Sequence, residues 1–345
     1  MSKSRGAPEG ALLFLYTETP LHVGASAALD AIDLPIQRER MTRLPVVPGS
    51  GLKGALREAV SLACPEDDWR MVALFGPEAP DPGEERAEAK DQDKDPPKKP
   101  VPSDFGGAIS LTDARLLLFP ARTARGGWAW ACSALVLQRL ARDLLALGVD
   151  RPAWADLSAE EGRARVGLSS KVVGDNLLII EDLSFISEQD PRVETLAIWL
   201  ADRLPQGPAY DPFRKRLPAQ VAVLSDGDFT DLCEHATEVT TRVRLDPDTR
   251  TVQRGALWTE ESLPAESLLW SGVWVDDARY PREGKGGRRN WMVEQHAPEG
   301  GVSAKELREM LGKMLTDQGP RMRLGGDQGT GRGFVGLRWA GKGAL

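Results

Sequence analysis

The chain has 345 residues, enough for two domains of ~150 residues or for one domain with large insertions. Hydrophobic residues make up 41% and charged residues 28%, a globular mixture, and 44 Lys+Arg against 51 Asp+Glu leave a net charge of −7. That balance excludes nucleic-acid binding through bulk charge and leaves room only for a local basic groove. Of the 44 cations, 12 are Lys and 32 are Arg. Arg suits bidentate phosphate contacts, although a GC-rich genome produces the same bias. Three widely spaced cysteines with no CxxC or Cys/His cluster argue against a disulfide framework and a structural zinc. No apolar run approaches the ~20 residues of a membrane span, and residues 1–10 lack the apolar centre of a signal peptide. The expectation is a cytoplasmic protein without membrane contact.

In chain order, residues 11–20 (ALLFLYTETP) are an apolar run closed by proline and predict a buried strand. A polar stretch leads to PVVPGS at 45–50, where Ser50 is placed to cap a helix. In that helix Leu52, Ala55, Leu56, Ala59, Val60 and Ala63 recur at helical spacing, with Lys53 and Arg57 stacked on the exposed face. Residues 80–103 carry seven acids and five bases around a single large apolar residue, Val101. Such a segment buries too little to offset its ordering entropy and predicts a disordered surface insertion.

Strand-like segments follow at 108–119 and 128–137, then a helix through Leu140, Leu144 and Leu147 that stops at Gly148. Residues 171–185 read as two strands around a Gly-Asp-Asn turn, 193–204 as a helix, and 220–226 as a strand running into the capped helix DGDFTDLCEHA. In residues 237–258 two β-rich arms flank the turn Asp246-Pro247-Asp248-Thr249. Arg242, Arg244, Arg250 and Arg254 make this a basic hairpin. A strand (SLLWSGVWV), a loop (REGKGGRRN), a helix at 303–315 and a glycine-rich C-terminal segment complete an α+β or α/β pattern with no internal repeat.

Two segments carry candidate chemistry. Around Ser50, Gly51 and Gly54 a helix N-terminus with small residues admits a close backbone approach, and with Lys53 and Arg57 it suits a phosphate. The same residues describe an ordinary amphipathic helix. At 322–339 (MRLGGDQGTGRGFVGLRW) five glycines precede a strand. A dinucleotide fingerprint should open a helix, so a nucleotide-dependent enzyme is disfavoured. What remains is a loop that packs against an RNA backbone or another element, or a tight hairpin.

Together these ends carry a resemblance. T-x-x-H-x-G at His22 and Gly24, D-x-P-I-Q-R-E from Asp33, P-x-x-P-G-S-x-L-K-G-x-L-R from Pro45, and G-G-x-x-x-x-G-x-G-F from Gly325 occur in order. With GALWTEESLP at 255–264, they resemble the RAMP superfamily of CRISPR effector proteins, in the variants of the Cmr-type (type III-B) backbone subunit. Residues 80–103 and 281–301 depart from the pattern, between matched segments. The resemblance implies a single RAMP domain over 1–345, with a ferredoxin-like (RRM-related) palm, inserted finger regions and a β-hairpin thumb at 237–264. It further implies copies stacked head-to-tail on CRISPR RNA beside other Cmr-type subunits. Paired single-stranded target RNA would be cut at regular intervals with a divalent metal, Mg2+ or Mn2+.

The cleavage residue so implied is Asp33, as base toward a 2′-hydroxyl or as metal ligand, with Asp30 as its competitor. His22 is a proton donor or phosphate contact, and Glu238 is a further acid. Ser50, Lys53, Arg57, Arg38, Arg242, Arg244, Gly331, Arg332 and Gly333 are expected on RNA. The alternatives are a non-catalytic RNA-binding backbone subunit and the equivalent subunit of type III-A complexes.

Overall fold

The computed structural model describes residues 6–25, 32–62, 64–65, 68–76, 106–279, 301–317, 319, 321–341, 343 and 345. The acidic–basic segment 80–103, residues 281–300 of the second loop and Asp30 lie outside them. The chain runs β1 (Glu9–Thr17), β2 (Val46–Val47), α1 (Gly49–Ser61), α2 (Trp69–Phe75), β3 (Ile109–Leu111), β4 (Ala114–Arg122), β5 (Trp128–Ser133) and α3 (Ala134–Ala146). Next come β6 (Arg163–Val166), β7 (Val173–Gly174), β8 (Leu177–Ile180), β9 (Leu183–Gln189), α4 (Pro191–Ala201), α5 (Asp211–Gln220), β10 (Val221–Leu224) and α6 (Asp226–His235). The last elements are β11 (Glu238–Leu245), β12 (Val252–Ser262), β13 (Leu268–Val275), α7 (Ala304–Asp317), β14 (Arg321–Arg323) and β15 (Phe334–Gly341).

These elements pack as two compact units, each assembled from separate stretches of chain. The smaller holds Met1–Ala11, Lys53–Leu111 and Val273–Gly319. In it, the end of β13 pairs antiparallel with β3. Gly107 lies so close under α2 that a Cβ there would stand 2.3 Å from the Phe75 carbonyl carbon.

The larger unit holds Leu12–Leu52, Thr112–Gly272 and Pro320–Leu345. It is built on a mixed sheet in the order β14-β15-β1-β13-β4-β5-β10-β6-β9-β8-β7. Two of its pairs are parallel, β5 with β10 and β6 with β9, and the others with assigned register within this unit are antiparallel. Residues 12–16 of β1 are all buried, as the unbroken apolar run requires of a strand covered on both faces. Helices α4 and α5 pack on each other, and α4 also covers β10 and β6. Trp199 of α4 meets Phe14 edge-on with 6.0 Å between ring centroids.

Local chemistry sets the boundaries. Ser225 caps α6 by accepting from the Asp228 N–H at 3.0 Å. Asp246 Oδ1 accepts from the N–H groups of Asp248 and Thr249, which closes the tip of the β11–β12 hairpin. That hairpin is a separate two-stranded ladder, from Glu238↔Ser262 to Leu245↔Val252.

Several sequence expectations are corrected. Helix α1 begins at Gly49, so Ser50 sits in its first turn; the acceptor at this end is Asp113 Oδ1, 2.8 Å from the Gly49 N–H. Residues 128–137 divide into β5 and the start of α3 after Ser133, because the apolar run serves first a strand and then a helix face. Residues 108–119 divide into β3 and β4. Residues 171–185 enter three strands, with one reversal at Asp175 and Asn176 and another at Glu181, all at positive φ. Gln220 ends α5, which tolerates Pro218 in its last turn.

Candidate nucleic-acid interface

The segment that leaves β1 is stitched down on two sides. Leu21 exchanges 2.9 Å backbone hydrogen bonds with Leu263, just beyond β12. On its other side the Gln37 N–H donates to Val23 O and the Ala25 N–H to Pro35 O, both at 2.8 Å. Leu34 docks on β12: its N–H donates to Thr259 O, and its carbonyl accepts from the Glu261 N–H. A polar loop thereby becomes an edge of the hairpin root.

Asp33 is fixed within this arrangement. Its N–H donates to Thr259 Oγ1 at 3.0 Å, while its Oδ2 accepts from the Thr259 N–H at 2.7 Å and from Oγ1 at 2.9 Å. The two donors, the backbone N–H foremost, hold the exposed carboxyl below its ordinary value. Both bonds to the carboxylate fall on Oδ2, so Oδ1 takes no part in the clamp.

Two adjacent acids on β12 organise everything around Asp33, and successive strand residues send them to opposite faces. Glu261, with its side chain 4% exposed, accepts from the Ile36 N–H at 2.9 Å, Arg38 Nη2 at 2.5 Å and Thr237 Oγ1 at 2.8 Å. Glu260, 2% exposed, takes Arg242 and Arg332, each at 3.3 Å. Arg332 also donates to Ser262 Oγ, and to Thr240 Oγ1 at 3.0 Å. One acid locks the Asp33 loop to the hairpin, and the other locks the C-terminal glycine loop to it. Sequence reading gave neither Glu260 nor Glu261 a role. Two neighbouring acids in a strand look like solvated residues until the arginines that cover them, more than 200 and more than 70 residues away along the chain, are placed.

His22 is buried, and its Nδ1 donates to Glu261 O at 2.6 Å, which leaves Nε2 as the second ring atom facing Gly24. Its carbonyl accepts from the Gly326 N–H at 2.8 Å. A Cβ on Gly325 (φ +80°) would lie 2.4 Å from that oxygen, and one on Gly333 (φ +74°) 2.1 Å from Leu324 O. The glycine-rich motif is thus the tight β14–β15 connection, closed against His22, while Gly331 (φ +86°) turns the chain in open space. Glu238 opens β11 opposite Ser262, and Arg244 is exposed on the same strand.

In the smaller unit, Lys53 Nζ donates to Ile109 O at 3.2 Å and Arg57 Nη1 to Gly76 O at 3.3 Å. Desolvation pulls the Lys53 ammonium below its ordinary value, and the positive charges of Arg279 and Arg57 act in the same direction. Three cations therefore share one neighbourhood. Gly54, on the same turn of α1 as Lys53, has nothing within 4 Å of a built Cβ.

The sequence pattern of the RAMP superfamily matches residues 14–335. The chain belongs to the RAMP superfamily. Among its relatives in that superfamily, the CRISPR system Cmr endoribonuclease Cmr4 of Pyrococcus furiosus is 30% identical over 329 residues, 94% of this chain and 93% of the relative. The CRISPR system Cms endoribonuclease Csm3 of Streptococcus thermophilus is 49% identical over 70 residues, 17% of this chain and 32% of the relative. Two solved RAMP structures share the fold. The crystal structure of oligomeric Cmr4 from Pyrococcus furiosus matches with TM-score 0.62 and 24% identity, over 97% of this chain and 99% of that one. The cryo-EM structure of the type III-B Cmr-beta complex bound to cognate target RNA contains a chain that matches with TM-score 0.62 and 18% identity, over 96% of both.

Proposed function

We propose that this RAMP protein is a backbone subunit of a type III-B CRISPR effector complex, which binds CRISPR RNA and cleaves the paired target RNA at regular intervals. The observation that carries this reading is Asp33, whose exposed, ionised carboxylate takes two of the three hydrogen bonds that tie the residue to Thr259 at the root of the hairpin. The Cmr-type relative is matched over 94% of this chain, the Csm-type relative over 17%, which favours the type III-B assignment. The hairpin serves as the thumb of a ferredoxin-like palm, and copies stack head-to-tail on the guide beside other Cmr-type subunits. Such a heterologous contact produces open filaments rather than closed rings.

In this reading Asp33 accepts the proton of the target's 2′-hydroxyl as that oxygen attacks the adjacent phosphorus, and the 5′-oxygen of the next nucleotide leaves. Glu238 returns a proton to the leaving oxygen. Donors hold the Asp33 carboxyl low and so keep it ionised as the base requires, while desolvation, outweighing Arg332, raises Glu238. His22 becomes a positioning residue, since it joins the β12 backbone to the glycine loop. Lys53, Arg57, Ser50 and Arg244 meet RNA phosphates. Arg38, Arg242 and Arg332 serve RNA binding through the loops that they hold on Glu260 and Glu261.

Among the described residues no group of three or more His, Cys, Asp or Glu side chains could hold a metal ion. The described side chains therefore do not build a divalent-metal site on their own. Asp33 supplies one carboxylate, and RNA phosphates and water would have to complete an oxygen shell for Mg2+ or Mn2+.

The test is single-turnover cleavage by a complex assembled with Asp33→Asn. Target affinity stays at the parental value, and segmented cleavage falls about 10²–10⁴-fold, the range for a lost proton-transfer group. Cleavage at the parental rate overturns the reading, and loss of assembly would make Asp33 structural.

A further inference from the structure

An exposed aspartate has no orientation of its own, because the torsion that turns its carboxyl plane is broad and water competes for both oxygens. Asp33 is exposed, yet one of its carboxylate oxygens is held by two donors. Both belong to Thr259, half-buried in β12 on the rung opposite Thr241 of β11.

The Thr259 hydroxyl acts in both directions. It accepts from the Asp33 N–H at 3.0 Å and donates to Asp33 Oδ2 at 2.9 Å, beside the 2.7 Å bond from the Thr259 N–H to the same oxygen. A hydroxyl carries one proton and two lone pairs, so accepting from the N–H leaves its proton for the carboxylate. The bonds close a ring between the backbone of Asp33 and its own carboxyl group, which sets both the rotamer and the carboxyl plane. Neither of the bonds to the carboxylate falls on Oδ1.

Thr259 and Glu261 are two residues apart on β12 and therefore share one face of the strand, where they divide the work. Glu261 holds the loop farther on, through the Ile36 N–H and Arg38. The backbone next to Asp33 is fastened without any side chain of β12, since the Leu34 N–H lies on Thr259 O and the Leu34 carbonyl on the Glu261 N–H. Docking the loop does not call for the Thr259 hydroxyl. What the hydroxyl adds is the direction of the carboxylate. The charged neighbours on the strand are engaged elsewhere, Glu260 with Arg242 and Arg332 and Glu261 with Arg38.

We propose that Thr259 is a positioning residue for cleavage: its hydroxyl and N–H hold Asp33 Oδ2 so that Oδ1 is presented to the target's 2′-hydroxyl. This rests on the reading of Asp33 as the base. Proton transfer needs a preset geometry, and a displacement of about 1 Å costs on the order of 10²-fold in rate. Because Thr259 belongs to the hairpin, the base is mounted on β12 and not on β1, from which its own loop leaves. Serine in place of Thr259 keeps the hydroxyl. Valine keeps the β-branched shape that suits a strand and loses the hydroxyl, and alanine loses both.

Single-turnover cleavage by complexes assembled with Thr259→Val, Thr259→Ala or Thr259→Ser tests it, with target affinity measured alongside. Thr259→Val and Thr259→Ala each slow cleavage about 10- to 100-fold at parental target affinity, and Thr259→Ser returns most of the rate. In an Asp33→Asn background Thr259→Val costs nothing further, because groups that act as one unit are not additive. A threonine that only stabilised the loop would lower assembly or affinity and would show no such dependence on the carboxylate. Parental cleavage by the valine and alanine variants, a serine variant as slow as the valine one, or a full further loss on top of Asp33→Asn overturns the proposal. Failure of all three variants to assemble overturns it as well, since the hydroxyl would then be structural. These outcomes leave Asp33 as the base so long as Asp33→Asn alone is slow; parental cleavage by Asp33→Asn overturns both.

Discussion

The two halves of the β11–β12 hairpin are built on opposite principles. Its root buries charge: Glu260 and Glu261 are 2% and 3% exposed and hold Arg38, Arg242 and Arg332. Its outer half exposes apolar residues instead, among them Val243, Leu245, Val252 and Leu257. Buried ion pairs are poor sources of net stability, because desolvation offsets their attraction; what they supply is a defined geometry. Exposed apolar side chains do the reverse and wait for a partner's surface. The root therefore sets where Asp33 stands, while the outer half leaves its apolar side chains exposed.

That contrast can be broken at the root with the largest effect. Glu261→Ala leaves the Arg38 guanidinium buried without its counter-charge, though still on the Arg43 and Cys233 carbonyls, and takes the acceptor from the Ile36 N–H, a loss of about 3–5 kcal/mol in urea unfolding. Replacing Glu261 and Arg38 together by Met recovers most of it, while Leu257→Ser in the outer half stays within about 0.5 kcal/mol of the parent. A Glu261→Ala protein as stable as the parent would show that the root is not organised by this carboxylate.

A smaller effect separates the arginines held on Glu260 and Glu261 from the two cations of α1, which donate to backbone carbonyls. Lys53→Ala with Arg57→Ala lowers the slope of log affinity for guide RNA against log salt by about 1.4, two contacts at ~0.7 each. An unchanged slope would place both cations off the RNA.

The smallest effect concerns Glu266. Its folded-state value is raised from 4.5 to about 7, so the native state binds more protons than the unfolded one between those limits, and stability falls as pH rises through them. Glu266→Gln removes that fall. Its melting temperature exceeds the parent's by about 2 °C at pH 8, and the gap closes near pH 4. A parallel pH profile for the two proteins would mean that Glu266 is not desolvated.

Much of this architecture is legible where local chemistry decides it. The Ser225 cap, the Asp246 turn and the buried run of β1 follow from residues within a few positions of each other. Boundaries that depend on distant groups are not legible. The cap of α1 comes from Asp113, and the apolar run at 128–137 gives no sign that a strand passes into a helix at Ser133. The candidate site divides in the same way. Asp33 and the glycines stand out through their motifs, whereas Glu260 and Glu261 acquire meaning only when Arg38 and Arg332 fold over them. Arg38 and Arg332, read from sequence as RNA contacts, direct their guanidinium groups to those buried acids.

The central claim is that each subunit contributes its own cutting carboxylate. Complexes assembled from parental and Asp33→Asn chains mixed in known ratios test it directly, with target affinity and the intensity of each cleavage fragment measured together. Cutting at every position should fall in proportion to the fraction of variant chains while affinity stays constant. Fragment intensities that do not change with that fraction would contradict the account.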